Sequence, residues 1–210
     1  MSASETRHVI DGPTGPLELK HLHAEGEPRF LAVVCHPHPL HGGTMENKVV
    51  YTLSRLLSGL GGEVVRFNFR GVGKSAGEFE QGIGETQDLQ AASKWLREQF
   101  PQIKPFWLAG FSFGAFVSTI SAKELNAEQL ISIAPAVTRF DFSQHPMPEC
   151  PWTIVMGDAD EVVDPKTVFE WAETLPDNAR LIKMDGAGHF FHGRLVELRE
   201  KLEAVLPKGD

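Results

Sequence analysis

The chain has 210 residues, 41% of them hydrophobic, and carries a formal net charge of -8 at pH 7. This length and apolar content predict one globular domain over residues 1–210 with a substantial core. The acidic balance, without a cluster of Lys and Arg, excludes nucleic acid and anionic membranes as expected partners and leaves neutral or cationic small molecules open.

The chain shows no sequence signal for export or membrane insertion. The segment from Met1 to Arg7 is polar and lacks the apolar stretch of a signal peptide, and no segment reaches the unbroken apolar length of a membrane span. We therefore expect a cytoplasmic location. The two cysteines, Cys35 and Cys150, have no motif spacing, which predicts free thiols rather than a disulfide framework.

Taken in chain order, apolar runs of strand length alternate with segments of helical period. This alternation predicts an α/β fold with a mostly parallel sheet and helices on both of its faces. The expected strands cover residues 17–22, 30–35, 64–69, 106–109, 130–134, 152–156 and 180–184. The expected helices carry apolar faces at Val49, Leu53, Leu56, Leu57 and Leu60, at Leu89, Ala92, Trp95 and Leu96, and at Leu195, Leu198, Leu202 and Val205. The proline-rich stretch 138–151 is long enough for a flap but too short for a cap domain.

The segment Gly110-Phe111-Ser112-Phe113-Gly114 follows the predicted strand 106–109 and precedes a helical stretch rich in Ala, Val and Ile. Strand, Gly-x-Ser-x-Gly and helix in this order are typical of the nucleophile elbow of a serine hydrolase. The serine of such an elbow lies on a sharp turn, where a side chain two positions to either side would collide with a neighbouring element. We therefore predict Ser112 as a nucleophile at a helix N-terminus.

A second segment, Gly73-Lys74-Ser75-Ala76-Gly77, matches the same pattern. The residues that follow it, 78–84, have no helical period and include two more glycines, so we interpret Ser75 as a loop residue. The preceding residues also resemble the end of a phosphate-binding loop. That motif requires a glycine five positions before Gly73, where Asn68 stands, which disfavours a nucleoside triphosphate site.

A serine hydroxyl is a poor nucleophile at neutral pH, so it needs a histidine base, and the base needs a carboxylate to hold its tautomer. In the elbow-type fold these residues follow the serine in the order acid, then base. The predicted strand 152–156 runs into an acidic turn that holds Asp158, Asp160 and Asp164. Asp164 stands directly before Pro165, and this pair predicts that Asp164 is the N-cap of a helix.

The base is expected after one further strand, on the loop that leads to the last helix. Residues 180–184 form that strand, and Asp185-Gly186-Ala187-Gly188-His189 is the loop. His189 is therefore the predicted base. His192 is expected inside the next segment and fits a surface histidine better.

An oxyanion hole needs two backbone N–H groups aimed at the developing charge. The N–H of Phe113, directly after the nucleophile, is one predicted donor. The second is expected from the loop after strand 30–35, which reads His-Pro-His-Pro-Leu-His-Gly-Gly over residues 36–43. Its two prolines have no N–H, which leaves His38 or Leu40, and we favour His38.

The same loop suggests an alternative, because imidazole is a common ligand of transition metals and His36, His38 and His41 lie close in sequence. The alternate prolines constrain this backbone, and no carboxylate-rich metallohydrolase motif follows downstream. We interpret the three histidines as loop and pocket-wall residues. We expect neither a metal nor a cofactor.

These features together resemble the α/β-hydrolase superfamily over nearly the full chain, and in particular its small capless bacterial members near the dienelactone-hydrolase-like branch. The segments that carry the resemblance are 110–114, 69–77 and His36-Pro37-His38-Pro39-Leu40-His41-Gly42-Gly43-Thr44-Met45-Glu46-Asn47, with Asp160 and His189. The family spacing is the main reason to select Asp160 as the acid. Dienelactone hydrolases use cysteine as nucleophile, whereas position 112 is serine, so lactone specificity does not carry over.

The resemblance implies a serine hydrolase that cleaves small carboxylic esters through an acyl-enzyme intermediate, with Ser112, His189 and Asp160 as the triad. A thioesterase or acyltransferase would use the same triad and stays an alternative, and a non-catalytic binding protein or a metal-dependent hydrolase is less favoured. If at least two of the phenylalanines near the elbow and the base face the cleft, the acyl pocket is apolar. The resemblance also allows a homodimer.

Overall fold

The structure is a computed structural model that describes residues 4–208. Its strands are β1 (Glu5–Gly12), β2 (Gly15–Leu22), β3 (Phe30–Cys35), β4 (Gly62–Phe67), β5 (Phe106–Phe111), β6 (Gln129–Ile133), β7 (Trp152–Gly157) and β8 (Ala179–Met184). Its α-helices are α1 (Lys48–Gly59), α2 (Ile83–Gln99), α3 (Phe113–Ser121), α4 (Pro165–Ala172) and α5 (Leu195–Val205). Residues 1–3 and 209–210 of the predicted domain lie outside the described residues.

All eight strands form one sheet in the order β1-β2-β4-β3-β5-β6-β7-β8. The strands from β4 to β8 in this order run parallel, whereas β1 and β2 form an antiparallel hairpin that joins the sheet at β4. Helices cover both faces: α1 and α5 pack on one face, and α2 and α3 pack on the other. The predicted α/β class, with a mostly parallel sheet flanked by helices, is confirmed.

The starts of α1 and α4 follow from local capping chemistry. The side chain of Asn47 accepts hydrogen bonds from the N–H groups of Val49 and Val50 at the start of α1, which uses two of the donors that a helix start leaves unpaired. Asp164 caps α4 through a bond from the Thr167 N–H, with Pro165 at the first helical position, as predicted.

Two details of the sheet differ from the prediction. Strand β1 was not expected, because it is an edge strand with half-buried residues at most and no apolar run. Strand β4 begins at Gly62 and ends at Phe67, whereas residues 64–69 were predicted. The Asn68 N–H still donates to the Glu18 carbonyl of β2, but the next donor, the Phe69 N–H, bonds to the His36 ring, so the chain turns away from the sheet after Asn68. The Asn68 Oδ1 atom accepts from the Met45 N–H and so contacts the neighbouring loop.

The structure also bears on the expected free thiols and on the expected lack of membrane spans. Cys35 is buried in β3 and Cys150 lies half-buried in the loop before β7, and both are free thiols, as predicted. Within residues 4–208, no helix combines the length and the apolar character that crossing a bilayer requires.

The sheet order creates a crevice at its carboxyl edge. Strands β3 and β5 are neighbours, yet the chain leaves β3 toward β4 on one side and reaches β5 on the other side. In open α/β sheets, ligands bind outside the carboxyl ends of strands at such a switch point. The loop after β3 and the elbow after β5, paired at Cys35 and Gly110, therefore meet where a binding site is expected.

Candidate active site

Ser112 lies between β5 and α3, at the N-cap position of the helix. Its backbone has φ 56° and ψ −111°, a conformation that non-glycine residues rarely adopt. The Ser112 N–H donates to the Ile133 carbonyl at 2.8 Å, which ties the strained turn to β6. The surrounding fold therefore holds the serine in a sharp strand-to-helix turn, as expected for a nucleophile elbow.

The two glycines of the elbow are required by close backbone approach. A Cβ atom at Gly110 would lie 2.1 Å from the Gly114 carbonyl oxygen, and a Cβ atom at Gly114 would lie 2.3 Å from the Cys35 carbonyl oxygen. Neither distance is compatible with a side chain. The steric reason predicted for this pattern is therefore present at both positions.

His189 and Asp160 form a buried hydrogen-bonded pair, with 2.7 Å between His189 Nδ1 and Asp160 Oδ2. The other carboxylate oxygen, Oδ1, accepts hydrogen bonds from the N–H groups of Val162 and Val163, each at 2.8 Å. The Glu161 side chain accepts from the His189 N–H at 3.1 Å. Because the carboxylate accepts from Nδ1, the proton of the neutral ring lies on Nδ1 and Nε2 is free to act as a base.

The acid and base loops approach each other closely at the ends of β7 and β8. A Cβ atom at Gly157 would lie 2.1 Å from the Ala187 carbonyl oxygen, and the Ala159 N–H donates to that same oxygen. Gly157 thus lets the acidic turn lie directly against the loop that carries His189.

The other acids of the turn have different partners. Asp158 is exposed and accepts a hydrogen bond from the Gly186 N–H at 2.6 Å, while Asp164 caps α4. His192 is exposed, as expected for a surface histidine, and it lies in the turn before α5. Among the candidates, the structure brings Asp160 and His189 together.

The histidine-rich loop after β3 divides into a buried and an exposed part. His36 is fully buried, and both of its ring nitrogens bond to backbone: Nε2 accepts from the Phe69 N–H at 3.0 Å, and Nδ1 donates to the Pro37 carbonyl at 2.6 Å. Burial lowers the pKa of His36 to about 4. His36 is therefore a structural residue beneath the loop, which corrects its interpretation as a pocket wall and removes it as a ligand in the metal alternative.

His38 and His41 do reach the pocket, and their rings stack with centroids 4.4 Å apart. The Nδ1 atom of His38 accepts from the Leu40 N–H at 3.2 Å, so Leu40 uses its backbone donor within the loop. Burial, followed by the nearby His41 and Arg139, lowers the pKa of His38. Because this bond uses the Leu40 N–H, the His38 N–H is the remaining candidate of the two backbone donors considered for the oxyanion hole.

A cavity of about 190 Å³ joins these loops, and Ser112 and His189 both line it. Its wall includes Phe190, which is 38% exposed, and the half-buried Phe140. Phe113 also borders the cavity but is fully buried, and Phe111, Phe116 and Phe191 are buried in the core as well. Among the phenylalanines near the elbow and the base, Phe190 is thus the one exposed to the cleft, fewer than the two expected for an apolar acyl pocket, and Phe140 from the loop between β6 and β7 adds a second ring.

Sequence comparison places the chain among known proteins. A protein of Xanthomonas campestris, described as an α/β serine hydrolase without lid, is 44% identical, with 100% of this chain and 98% of that chain covered and a TM-score of 0.90. The chain belongs to the lidless α/β-hydrolases. An α/β serine hydrolase homologue from Coxiella burnetii is 46% identical, with coverages of 96% and 97% and a TM-score of 0.91. An uncharacterized protein of Rickettsia prowazekii is 35% identical, covering 94% of this chain and 87% of its own length.

Part of this α/β-hydrolase, residues 57–149, also matches the sequence profile of the X-Pro dipeptidyl-peptidase (S15) family. The matched range contains the elbow with Ser112 but neither Asp160 nor His189. It therefore supports the hydrolase fold around Ser112 and does not extend to the residues of the other two loops.

Several cavity residues of the hydrolase were not singled out from the sequence. Phe140 and Arg139 come from the loop between β6 and β7, Val162 from the acidic turn and Asn47 from the start of α1. The only sequence signal for the first two was the length of the 138–151 stretch, which predicted a flap without naming the residues that face the site.

Proposed function

We propose that this hydrolase cleaves small carboxylic esters through an acyl-enzyme intermediate, with Ser112 as nucleophile, His189 as general base and acid, and Asp160 as the orienting carboxylate. The observation that carries the proposal is the 2.7 Å bond between Asp160 and His189, formed at a cavity that also exposes the strained Ser112 turn. Nucleophile, base and acid follow in the chain order of this fold.

In the first step the Ser112 Oγ atom attacks the ester carbonyl while His189 Nε2 takes its proton. Asp160 stabilises the imidazolium that forms, and its own orientation is held by the N–H groups of Val162 and Val163. Collapse of the tetrahedral intermediate breaks the ester C–O bond, and His189 returns the proton to the departing alcohol. The product of this half-reaction is an acyl group on Ser112.

The negative charge of the tetrahedral intermediate needs donors in a fixed position. The Phe113 N–H belongs to the first turn of α3, where backbone donors have no partner within the helix. The His38 N–H is the second donor that we propose, since Leu40 donates to the His38 ring. Water then repeats the sequence with His189 as base, releasing the carboxylic acid and restoring the Ser112 hydroxyl.

The cavity supports small substrates. Its volume of about 190 Å³ is below the roughly 300–1,000 Å³ of pockets that enclose drug-sized ligands. The rings of Phe140 and Phe190 at its wall suit a short apolar or aromatic acyl group. We therefore expect acetyl and butyryl esters to be cleaved with kcat/KM at least about 10-fold above that of decanoyl esters.

Partitioning with methanol tests the acyl-enzyme step. Phenyl, p-nitrophenyl and ethyl butyrate share one acyl group, so a common intermediate gives one ratio of methyl butyrate to butyrate at fixed methanol, whatever the leaving group. A ratio that changes with the leaving group would contradict the intermediate. The same assay with a butyryl thioester measures ester against thioester preference, and turnover that disappears after chelation would favour a metal-dependent mechanism instead.

A further inference from the structure

A cluster of two histidines and a glutamate lies far from the Ser112 cavity in the fold. His21 is in β2, His23 follows the end of that strand, and Glu63 is at the start of β4. The antiparallel register pairs His21 with Val65 and Leu22 with Val64. Continued by one residue, this register places His23 opposite Glu63. Strand pairing, rather than chance contact of long side chains, brings the three groups together.

The distances between the donor atoms are those of a compact site. Glu63 Oε2 lies 2.6 Å from His21 Nε2 and 3.2 Å from His23 Nδ1, and one donor atom from each residue lies within 4.8 Å of the others. Zinc bonds of about 2.0–2.2 Å in a tetrahedral site separate neighbouring donor atoms by about 3.3 Å. The pair of His23 and Glu63 already has this spacing, and the His21 ring, which lies closer to Glu63, would move outward to reach it.

The charge of the cluster is unbalanced. Glu63 is buried, and its ion-pair partners within residues 4–208 are His21 and His23 only, neither of them a permanent cation. A carboxylate buried to this extent is costly to leave without a compensating positive charge.

We propose that His21, His23 and Glu63 bind one divalent transition-metal ion of the zinc class. Two imidazole nitrogens and one carboxylate oxygen suit Zn²⁺, whereas Ca²⁺ and Mg²⁺ prefer oxygen ligands throughout. The Ala24 N–H donates to the other carboxylate oxygen, Oε1, which leaves Oε2 for the ion. The His23 side chain is 37% exposed and provides the entry path.

The position of the site predicts a structural role. Glu63 lies at the amino end of β4, whereas Ser112 and the loop after β3 lie at the carboxyl ends of their strands, on the opposite edge of the sheet. An ion at this point links β2 to β4 and so fastens the β1–β2 hairpin to the parallel part of the sheet. Zinc binding should raise the melting temperature and leave ester turnover unchanged.

The test uses the full chain after treatment with EDTA and removal of the chelator. Zn²⁺ is titrated against a chromophoric competitor, and thermal unfolding is followed with and without the ion. We expect one equivalent bound and, at 100-fold excess of free Zn²⁺ over Kd, a rise in Tm of about 5–10 °C. Mg²⁺ at the same concentration should give no rise.

His23→Ala is the decisive variant, because its half-exposed side chain can be removed without opening the core, and it should weaken zinc binding at least 100-fold. His192→Ala removes an exposed histidine elsewhere and should bind zinc as the parent does. Glu63→Gln serves as a second variant with the same expected loss. The proposal is overturned if Zn²⁺ neither binds stoichiometrically nor raises Tm, or if His23→Ala binds it as tightly as the parent.

Discussion

The segments around Ser75 and Ser112 share the pattern Gly-x-Ser-x-Gly but differ in what the serine does. The Ser75 Oγ atom donates to the Asn68 carbonyl at 2.6 Å and accepts from the Glu18 N–H at 3.0 Å, so its hydroxyl is consumed by the loop. Ser112 lies on a strained turn and lines a cavity together with His189. The pattern marks a tight turn in both segments, and only at Ser112 do a preceding strand and a following helix hold the serine at a cavity, as our proposal for a nucleophile requires.

The two segments also require their glycines for different physical reasons. At Gly110 and Gly114 the backbone of a neighbouring element occupies the space of a Cβ atom. Gly73 and Gly77 have φ of 59° and 93°, so their requirement is first of all conformational. Equal spacing in the sequence therefore arises from contact with neighbouring backbone in one segment and, in the other, from backbone handedness together with contact with side chains such as Thr14.

The Ser75 segment nevertheless supports the site indirectly. Ser75 holds the carbonyl of Asn68, whose side chain accepts from the Met45 N–H, and the adjacent Phe69 N–H donates to His36. These bonds fasten the loop that carries His38. One serine is proposed to do the chemistry, and the other stabilises the loop that carries the proposed second oxyanion donor.

The largest expected effect separates the two serines by activity. Ser112→Ala should lower kcat for p-nitrophenyl butyrate by about 10⁵-fold or more, because the nucleophile is lost. Ser75→Ala, the matched control in the second segment, should keep kcat within about 3-fold once the folded fraction is accounted for. Comparable losses of kcat in both variants would contradict the different roles assigned to Ser112 and Ser75.

Asp160→Asn should lower kcat by about 10³- to 10⁴-fold, because the amide favours the wrong tautomer of His189. Asp158→Asn and Asp164→Asn are the controls, and each should keep most of the activity, since neither side chain touches His189. If one of these two cripples turnover while Asp160→Asn does not, the acid has been assigned wrongly.

Gly114→Ala and Gly77→Ala compare crowding with handedness. The former forces a Cβ atom against the Cys35 backbone and should destabilise the protein by about 3 kcal/mol or more. The latter places alanine at positive φ, which costs about 1–2 kcal/mol. Urea unfolding at pH 7 measures both, and an inverted order would contradict the steric explanation of the elbow.

His36 should make the free energy of unfolding depend on pH. Burial lowers its pKa to about 4 from 6.5. Because the unfolded chain binds this proton more readily, the stabilisation is present above pH 6.5 and is lost as the pH falls toward 4. The loss from this group between pH 7 and 4.5 is about 2 kcal/mol.

Urea unfolding at the two pH values, in the parent and in His36→Gln, measures this contribution. The variant should start from a lower stability and show a smaller decrease on acidification. His192→Gln, an exposed control, should retain the parent's decrease. An unchanged decrease in His36→Gln would rule out His36 as its source.

The smallest expected effect concerns the stability role of the second serine. Ser75→Ala leaves the Asn68 carbonyl and the Glu18 N–H without their side-chain partner, which should destabilise the protein by about 1–2 kcal/mol. Denaturant unfolding measures this, and Ser143→Ala in an exposed loop provides a surface comparison. A neutral Ser75→Ala would show that the loop holds itself without the hydroxyl.

Local sequence was enough to predict most of the fold and the candidates for chemistry. Buried strands such as β3, β5 and β7 are mostly apolar runs, and the histidine-rich loop, the elbow and the acidic turn each follow such a run directly. The His189 loop follows β8, a half-exposed strand that still carries apolar residues at Leu181, Ile182 and Met184. Strand β1 was not predicted because an exposed edge strand needs no apolar run. Its existence depends on pairing with β2 rather than on its own composition.

Contacts between distant segments could not be predicted from the sequence. The ring of His36 bonds to Phe69, 33 residues away, and that partner distinguishes a structural histidine from a pocket wall. His21 meets Glu63 across 42 residues through the register of β2 and β4. Phe140 reaches the cavity from a loop whose path no local pattern specifies.

Labelling with a fluorophosphonate, followed by peptide mass mapping, tests the difference between the two serines most directly. The account predicts one adduct per chain, on the peptide that contains Ser112, with none on the peptide that contains Ser75, and an equal loss of esterase activity as labelling proceeds. An adduct on Ser75, or full activity in a chain labelled at Ser112, would contradict it.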